Sequence, residues 1–413
     1  MDPPLDLVAI GRVSVDLYGQ QVGSRLEDIT SFAKAVGGSP ANVAIGAARL
    51  GLKSALISRV GDEPMGRFVR EQLAREGVET RGVRIDSERL TALVLLSVRD
   101  AETFPLIFYR ENCADAALAP EDIDEGLIAS ARAVLVTGTH FAGTAAAAAQ
   151  RKAMTLARTH GRRVILDIDY RPNLWGIGGH AAGESRYARS ERVTAALRPL
   201  LPDCDLIVGT EEEIHIAAGR EDTLEAVREI RACSAAVIVC KRGAKGCVVF
   251  AGSIPSSLER ALVAPGLDIE VYNVLGAGDA FLAGFLLGYL RDEPHERSAR
   301  LANACGALAV SRLLCSPEFP SRAELDHLLV HGSAHRALRA DPQLSHLHWA
   351  TTRSAAPVSL YVLGSPGDAS RAVEAAAEVA AGRAGFGVRL PASAPSAALH
   401  AAQRQGLWVA RRV

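Results

Sequence analysis

Apolar runs bounded by turn residues recur along the chain: LDLVAIG at 5–11, SALISRVG at 54–61, ARAVLVTG at 131–138, RRVILDID at 162–169, CDLIVGT at 204–210, AAVIVCKRG at 235–243 and GCVVFAG at 246–252. They read as buried strands. Between several of them lie stretches whose apolar positions fall on one face at helical spacing, such as 40–51, 65–77 and 145–161. Strands alternating with helices predict a mostly parallel sheet covered on both sides.

Two early segments break this rhythm. Residues 18–38 and 91–118 read as short strands joined by tight turns, which can pair as a small sheet projecting from the large one. Such a flap suits a lid over a site that excludes water; ordinary edge hairpins are the alternative. After about residue 322 the texture changes. A polar, His-bearing stretch over 326–355 reads as a linker after a main domain at 1–325, and 356–413 reads as strand, helix, strand in a small C-terminal α/β appendage.

Charge narrows the partners. With 46 basic and 47 acidic residues the net charge is -1, which points to a small soluble ligand rather than to nucleic acid or an anionic membrane. The seven cysteines form no C-x-x-C pair and no Cys/His cluster of zinc spacing, so reduced, mostly buried thiols are expected. The first residues lack a leader pattern, and no stretch of about 18 apolar residues occurs, so a cytoplasmic location is expected.

The chemistry concentrates in NVLGAGDAF at 273–281, a glycine-rich turn with an acid inside it and an apolar run behind it. A dinucleotide turn would want a third glycine where Phe281 stands, and a P-loop would need Gly-Lys, a dipeptide absent from the chain. A phosphoryl-transfer turn fits better. The N–H groups of Leu275 to Gly278 would hold the charge on the transferred group, while Asp279 would act as general base toward an attacking alcohol. Asp is also a good residue for a helix start on electrostatic grounds alone.

Three stretches, GGSPANVAIGAARLG at 37–51, SRVGDEPMGRFVREQLAREGV at 58–78 and NVLGAGDAFLAGF at 273–285, together resemble the two signature regions of the ribokinase-like (pfkB) carbohydrate kinases. The resemblance covers roughly residues 5–325. It implies a three-layer α/β/α fold with a mostly parallel sheet, a small β-sheet lid, and phosphorylation of a sugar-like alcohol by ATP with Mg²⁺. Carried over by position, it implies that Asp279 is the base and that Gly276, Ala277 and Gly278 form the anion hole. Asp16, Gly37, Gly38 and Asn42 fall in the substrate-binding positions. Glu213 matches an acid that arranges Mg²⁺, mainly through water, and Thr210 stands where the family usually has Asn. Gly243 and Gly246 match the nucleotide-binding turn, with Lys241 as an added charge and Asn303 as a contact near adenine; close packing is an equal reason for that Ala-rich helix. Asn273 replaces an acid that coordinates a monovalent cation in some members, which argues against potassium activation.

FYRENCADAAL at 108–118 and DIDYRPNLWG at 167–176 each bring an arginine to the expected cleft. Arg110 and Arg171 offer planar forks suited to a carboxylate, which a neutral sugar would not require. Together with VGTEEE at 208–213 and NVLGAGDAF at 273–281, their wording most resembles the bacterial kinases of 5-dehydro-2-deoxygluconate in inositol catabolism, and so implies a sugar acid phosphorylated on its 6-hydroxyl. A 2-dehydro-3-deoxygluconate kinase is the alternative of similar chemistry, and a non-catalytic sugar-acid or nucleotide sensor is the alternative of a different class. Lids of this type also make a homodimer an expectation. LSHLHWATTR at 344–353 resembles the connector to a larger domain in longer relatives, but only about 60 residues follow it, too few for a barrel.

Overall fold

In β1 (Leu5–Ile10) Leu7 and Ala9 join one hydrophobic cluster while Val8 and Ile10 join another. A strand sends successive side chains to opposite faces, so an unbroken apolar run needs cover on both. The computed structural model describes residues 4–100, 104–177, 187–352, 358–361, 371, 373–374, 386–390, 395–404 and 408–411, and supplies that cover. The chain divides into two compact units, Met1–Thr352 and Arg353–Val413.

In the first unit β1 is followed by β2 (Ser14–Gly19), β3 (Phe32–Gly37), α1 (Ser39–Arg49), β4 (Ser54–Gly61), α2 (Pro64–Arg75), β5 (Val83–Asp86), β6 (Ala92–Leu96) and β7 (Leu106–Tyr109). Next come α3 (Glu125–Ala129), β8 (Ala131–Thr137), α4 (Thr144–Thr159), β9 (Arg163–Asp167), α5 (Glu191–Leu197), β10 (Leu206–Thr210), α6 (Glu211–Ala218), α7 (Thr223–Cys233), β11 (Val237–Lys241), β12 (Cys247–Phe250) and β13 (Leu262–Ala264). The last four helices are α8 (Ala277–Tyr289), α9 (His295–Val310), α10 (Arg322–His331) and α11 (Pro342–Thr351).

The large sheet has nine strands in the order β13-β12-β11-β10-β9-β8-β1-β4-β5. Its ladders are parallel from β11 to β5, and β12 and β13 pair antiparallel at one end. Apolar residues of α1, α2, α8 and α9 cover one face, and those of α3 to α7 cover the other. This is a three-layer α/β/α architecture. Among the described residues no helix is long and apolar enough to cross a membrane.

A second sheet of four strands, in the order β3-β2-β6-β7, stands apart from the first. It begins earlier than residue 18, because the chain leaves the large sheet at Gly11 (φ 137°) and pairs again from Ser14. Asp16 therefore sits within a lid strand rather than in a loop after β1.

Of the stretch 326–355, expected as a linker, residues 326–352 are largely structured and 353–355 lie outside the described residues. Leu338 and Leu344 enter the core, and His348 Nδ1 lies 3.2 Å from the buried Glu324, so apolar burial and a polar contact dock α11 on the body. In the second unit β14 (Val358–Tyr361), β15 (Phe386–Leu390) and β16 (Trp408–Arg411) form a parallel three-stranded sheet, with α12 (Ser396–Arg404) between the last two.

The apolar run after residue 280 now has a cause. Ten residues of α8 are buried, and Cβ atoms on Gly284 and Gly288 would lie 2.8 Å from Cys305 Sγ and 2.5 Å from Ser298 Oγ. The glycines let α9 approach closely.

Candidate phosphoryl-transfer site

Gly276 caps α8 in the left-handed region (φ 77°), and a Cβ there would come within 2.6 Å of Cys315 Sγ. Only glycine fits such a turn without strain. Asn273 is buried and braces it: its Nδ2 donates to Leu313 O at 2.6 Å and its Oδ1 accepts from Leu275 N at 3.0 Å. The N–H of Leu275 is thus occupied, and that of Ala277 reaches Val274 O at 3.3 Å. This narrows the expected cluster of donors. The first-turn N–H groups of Gly278 and Asp279 have no partner inside the helix, and they carry the positive end of its dipole.

Asp279 is half-buried at the third position of α8. Its Oδ2 accepts from Asn42 Nδ2 at 2.8 Å. Burial and the nearby Asp169 charge raise its pKa, while hydrogen bonds from Asn42 and Ser39 and the charge of Arg171 hold it back. The result suits a base: the carboxyl prefers a proton more than a solvated Asp does.

On one side of Asp279 lies a set of charged side chains. Asp16 accepts from Ser14 Oγ at 2.8 Å and fills the space over Gly37, where a Cβ would meet its carboxyl at 2.0 Å. Gly38 (φ 94°) would clash at 2.6 Å with the Arg12 carbonyl if it carried a Cβ. Burial pushes Asp16 up to about 6, against Ser14, Arg12 and Arg110. Arg12 Nη2 donates to Asp169 Oδ2 at 2.6 Å, and Arg171 Nε lies 3.5 Å from the other oxygen. Arg110 Nη2 donates to Asp115 Oδ2 at 2.7 Å, and Asp115 also accepts from Val13 N at 3.1 Å. Despite burial, these arginines hold Asp169 and Asp115 below the usual carboxylate range.

A cavity of about 470 Å³ opens here, lined by Arg12, Phe108, Arg110, Thr139, His140 and Asn173 among others. Burial lowers His140 to about 3, so its ring is neutral, and neither nitrogen has a hydrogen-bond partner among the described residues. Of the two arginines expected from the sequence, Arg110 lines this cavity and Arg171 braces Asp169 behind Arg12.

The other side of Asp279 combines glycine turns with a second set of charged side chains. Lys241 Nζ lies 3.5 Å from both Asp167 Oδ1 and Glu213 Oε2, and 3.2 Å from where a Gly278 Cβ would be. Burial works against its charge, but Asp167 and Glu213 more than compensate and raise its pKa. Thr210 and Glu213 form a capping box at the start of α6. Thr210 Oγ1 accepts from Glu213 N at 3.2 Å, and Glu213 Oε2 accepts from Thr210 N at 2.7 Å. Thr210 thus does a cap's work in place of Asn. Glu213 Oε1 accepts from Tyr170 N at 3.1 Å, so the backbone holds both of its oxygens. Among the described residues no cluster of three His, Cys, Asp or Glu is spaced to hold a metal.

Gly243 (φ 56°) faces open space, whereas a Cβ on Gly246 (φ 85°) would meet Ala264 O at 2.1 Å. Asn303 Nδ2 donates to Ala264 O at 3.0 Å and Pro265 O at 2.9 Å, so it shapes the wall of the turn.

Arg12, Ser39, Asp167, Asp169 and His140 were not singled out by the sequence. Asp167 and Asp169 alternate at the end of the β9 run beside Arg171, and that spacing was the available signal.

Comparison with known proteins agrees with this fold. The family described as pfkB family carbohydrate kinase matches residues 5–322. A 5-dehydro-2-deoxygluconokinase of Geobacillus kaustophilus (strain HTA426) is 33% identical over 342 residues, 81% of this chain and 97% of that protein. Among solved structures, a PfkB protein of Polaromonas sp. JS666 superposes with a TM-score of 0.65 at 29% identity, covering 78% of this chain and 99% of that one. A putative ribokinase II of E. coli, solved with ATP and Mg²⁺, gives a TM-score of 0.69 over 79% of this chain and 99% of that one; at 21% identity it shows the shared fold.

Proposed function

The chain belongs to the pfkB family of carbohydrate kinases, and from that premise we propose that it transfers the γ-phosphate of ATP to the 6-hydroxyl of 5-dehydro-2-deoxy-D-gluconate. The product is the 6-phosphate, and the reaction belongs to inositol catabolism in the cytoplasm. That the protein is a sugar kinase, a phosphotransferase with an alcohol acceptor, follows from its family. The acceptor's identity rests on one observation above others. Arg12 and Arg110 line one cavity beside Asp16, and Asp16 is close enough to feel the charges of both arginines and of Asp279. A neutral sugar gives such guanidinium groups little to do; a sugar acid gives them a carboxylate.

Asp279 removes the proton from the primary hydroxyl as its oxygen bonds to the γ-phosphorus, and ADP leaves with the electrons of the broken P–O bond. The free N–H groups of α8 and the Lys241 ammonium stabilise the charge that spreads over the transferring group. Bound Mg²⁺ supplies further charge neutralisation on the phosphates, and Glu213 would hold its water. Asp16 accepts hydrogen bonds from the sugar hydroxyls, while Asn42 orients the base. Gly243 and Gly246 shape a turn that lets backbone approach the nucleotide, and Asn303 keeps that turn in place.

ADP release with Mg-ATP tests this against 5-dehydro-2-deoxygluconate, 2-dehydro-3-deoxygluconate, ribose, fructose and fructose 6-phosphate. The expected result is a preference for the first. Preference for 2-dehydro-3-deoxygluconate would move the assignment to the other acid. Preference for a neutral sugar would overturn the arginine argument, and no turnover would favour the sensor. The reading includes a homodimer through the lid, supported by the exposed Tyr109 on edge strand β7 and by Leu90 at 70% exposure, and checked by light scattering.

A further inference from the structure

Tyr18 is buried on lid strand β2, and its hydroxyl donates to Cys315 Sγ. Cys315 in turn packs on the left-handed turn that opens α8. A Cβ on Gly276 would lie 2.6 Å from Cys315 Sγ and 3.1 Å from Phe319 Cε1, so both side chains rest against the bare glycine. Burial raises the phenol and the thiol well above their ordinary pKa values, so the Tyr18 O–H stays a donor at neutral pH.

The segment that carries Cys315 is fixed from several sides. Asn273 Nδ2 donates to Leu313 O at 2.6 Å, Arg49 Nε to Phe319 O at 2.7 Å, and Ser316 Oγ to Val36 O of β3 at 3.0 Å. Around it lies a third hydrophobic cluster, separate from the two that cover the large sheet, in which Tyr18, Val94 and Leu96 of the lid meet Ala280 of α8, Cys315 and Phe319. The lid and the first turn of α8 thus share one small core. Asp16 and Tyr18 are two apart on β2 and project from the same face. One strand therefore carries both a carboxylate of the acceptor side and the contact that reaches the α8 turn.

We propose that Tyr18 is a positioning residue for phosphoryl transfer: through Cys315 it sets the turn at Gly276, so that the strand holding the acceptor also aims the free N–H groups of Gly278 and Asp279. It acts through Cys315 rather than on the reacting atoms. Donors aimed at charge that develops only during transfer lower the barrier when their direction is fixed beforehand, and a small shift of the turn is enough to spoil that direction. The phenol hydroxyl is the lever, because its loss frees Cys315 Sγ to move away from Gly276. The proposal rests on the reading of this turn as the anion hole.

The test is Tyr18→Phe in the full chain, which keeps the ring in its cluster and removes only the hydroxyl. A thiol left among apolar neighbours is tolerated, so thermal unfolding should change little. Steady-state kinetics with Mg-ATP and 5-dehydro-2-deoxygluconate should show kcat down by on the order of tenfold, with both KM values within about twofold. Mg-ADP with aluminium fluoride and the acceptor, a mimic of the transferring phosphoryl group, should bind about tenfold more weakly, while Mg-ADP alone binds as in the wild type. Cys315→Ala should give a similar loss, and adding Tyr18→Phe to it should cost little more, because the two act in series. A wild-type kcat in Tyr18→Phe, a loss confined to the acceptor KM or to Mg-ADP affinity, or multiplying losses in the double variant would overturn the positioning role. Asp279→Asn separates the two assignments. If it keeps turnover, the phosphoryl-transfer reading falls and the positioning role with it; if it is inactive while Tyr18→Phe is normal, the positioning role alone falls.

Discussion

The side of Asp279 that we propose receives the acceptor and the side that we propose receives the nucleotide are built differently. On the acceptor side Arg12 is held by Asp169, Arg110 by Asp115, and Asp16 by Ser14 over the bare Gly37, each contact joining charged or polar side chains. On the other side the turns at Gly243, Gly246 and Gly276 bring backbone forward, and Lys241, 3.5 Å from Asp167 and Glu213, is the cation bordering the α8 turn. Phosphate is the same in every ATP, and N–H groups with one point charge are enough to bind it. An acceptor must be told from its isomers, which takes side chains whose direction is fixed in advance. Chemistry and specificity should therefore fail separately when residues are changed.

The largest effect is expected at the boundary between the two sides. Asp279→Asn keeps the shape and the Asn42 contact but removes the base, so kcat should fall by roughly 10³-fold, with ATP affinity almost unchanged. Isothermal titration with the nucleotide and steady-state kinetics check the two halves of this statement. A loss of ATP binding equal to the loss of rate would blur the division.

Next in size is a change to backbone alone. Gly276→Ala adds one methyl group in a left-handed turn, 2.6 Å from Cys315 Sγ, and must shift the donors that follow. We expect kcat to drop by about 10²-fold, the scale of one lost anion-hole donor, with the KM for the acceptor within about threefold. A large rise in the acceptor KM would mean that the turn also reads the sugar.

These two positions were legible in the sequence because a turn of this kind needs glycines at fixed spacing next to an acid. The layered sheet was legible for a related reason: strands buried on both faces show as continuous apolar runs, as Val8 to Ile10 do with their neighbours. The acceptor side was only half legible. Arg110 stood out, but its partner Asp115, five residues on, is fixed by a fold that also brings it Val13 N. Asp169 pairs with Arg12 across 157 residues, a distance no local pattern spans. The helix at 342–351 was hidden for want of a strong apolar face; one buried leucine and the contact of His348 with Glu324 anchor it.

Arg110→Met probes that hidden part. It should reduce kcat/KM for the sugar acid by roughly 10- to 100-fold, and it leaves Asp115 buried without its cation, at a cost of about 3–5 kcal/mol in stability. Adding Asp115→Asn should recover much of the stability and none of the acceptor selectivity. If the double variant regains both, Arg110 is a strut for Asp115 and not a reader of the carboxylate.

The smallest expected effect concerns Asp16, and it has a definite sign. Burial raises its pKa to about 6 in the folded protein, above the ordinary 3.8 of the unfolded chain. The folded state thus binds the proton more tightly. The stability that Asp16 contributes is fully present below about pH 3.8 and is lost as pH rises through about 6, because the buried group must then ionise. Asp16→Asn has no charge to bury. It should match the wild type in thermal unfolding near pH 4 and exceed it at pH 8 by up to about 3 kcal/mol, read as a shift of a few degrees. The same variant should bind the acceptor more weakly, since a charged acceptor of sugar hydroxyl protons has been replaced by an amide. Gaining stability while losing the substrate is what a specificity residue does when its charge is held in place at the fold's expense. A glycine turn on the nucleotide side should show the opposite pairing, since Gly276→Ala is expected to lose rate and stability together.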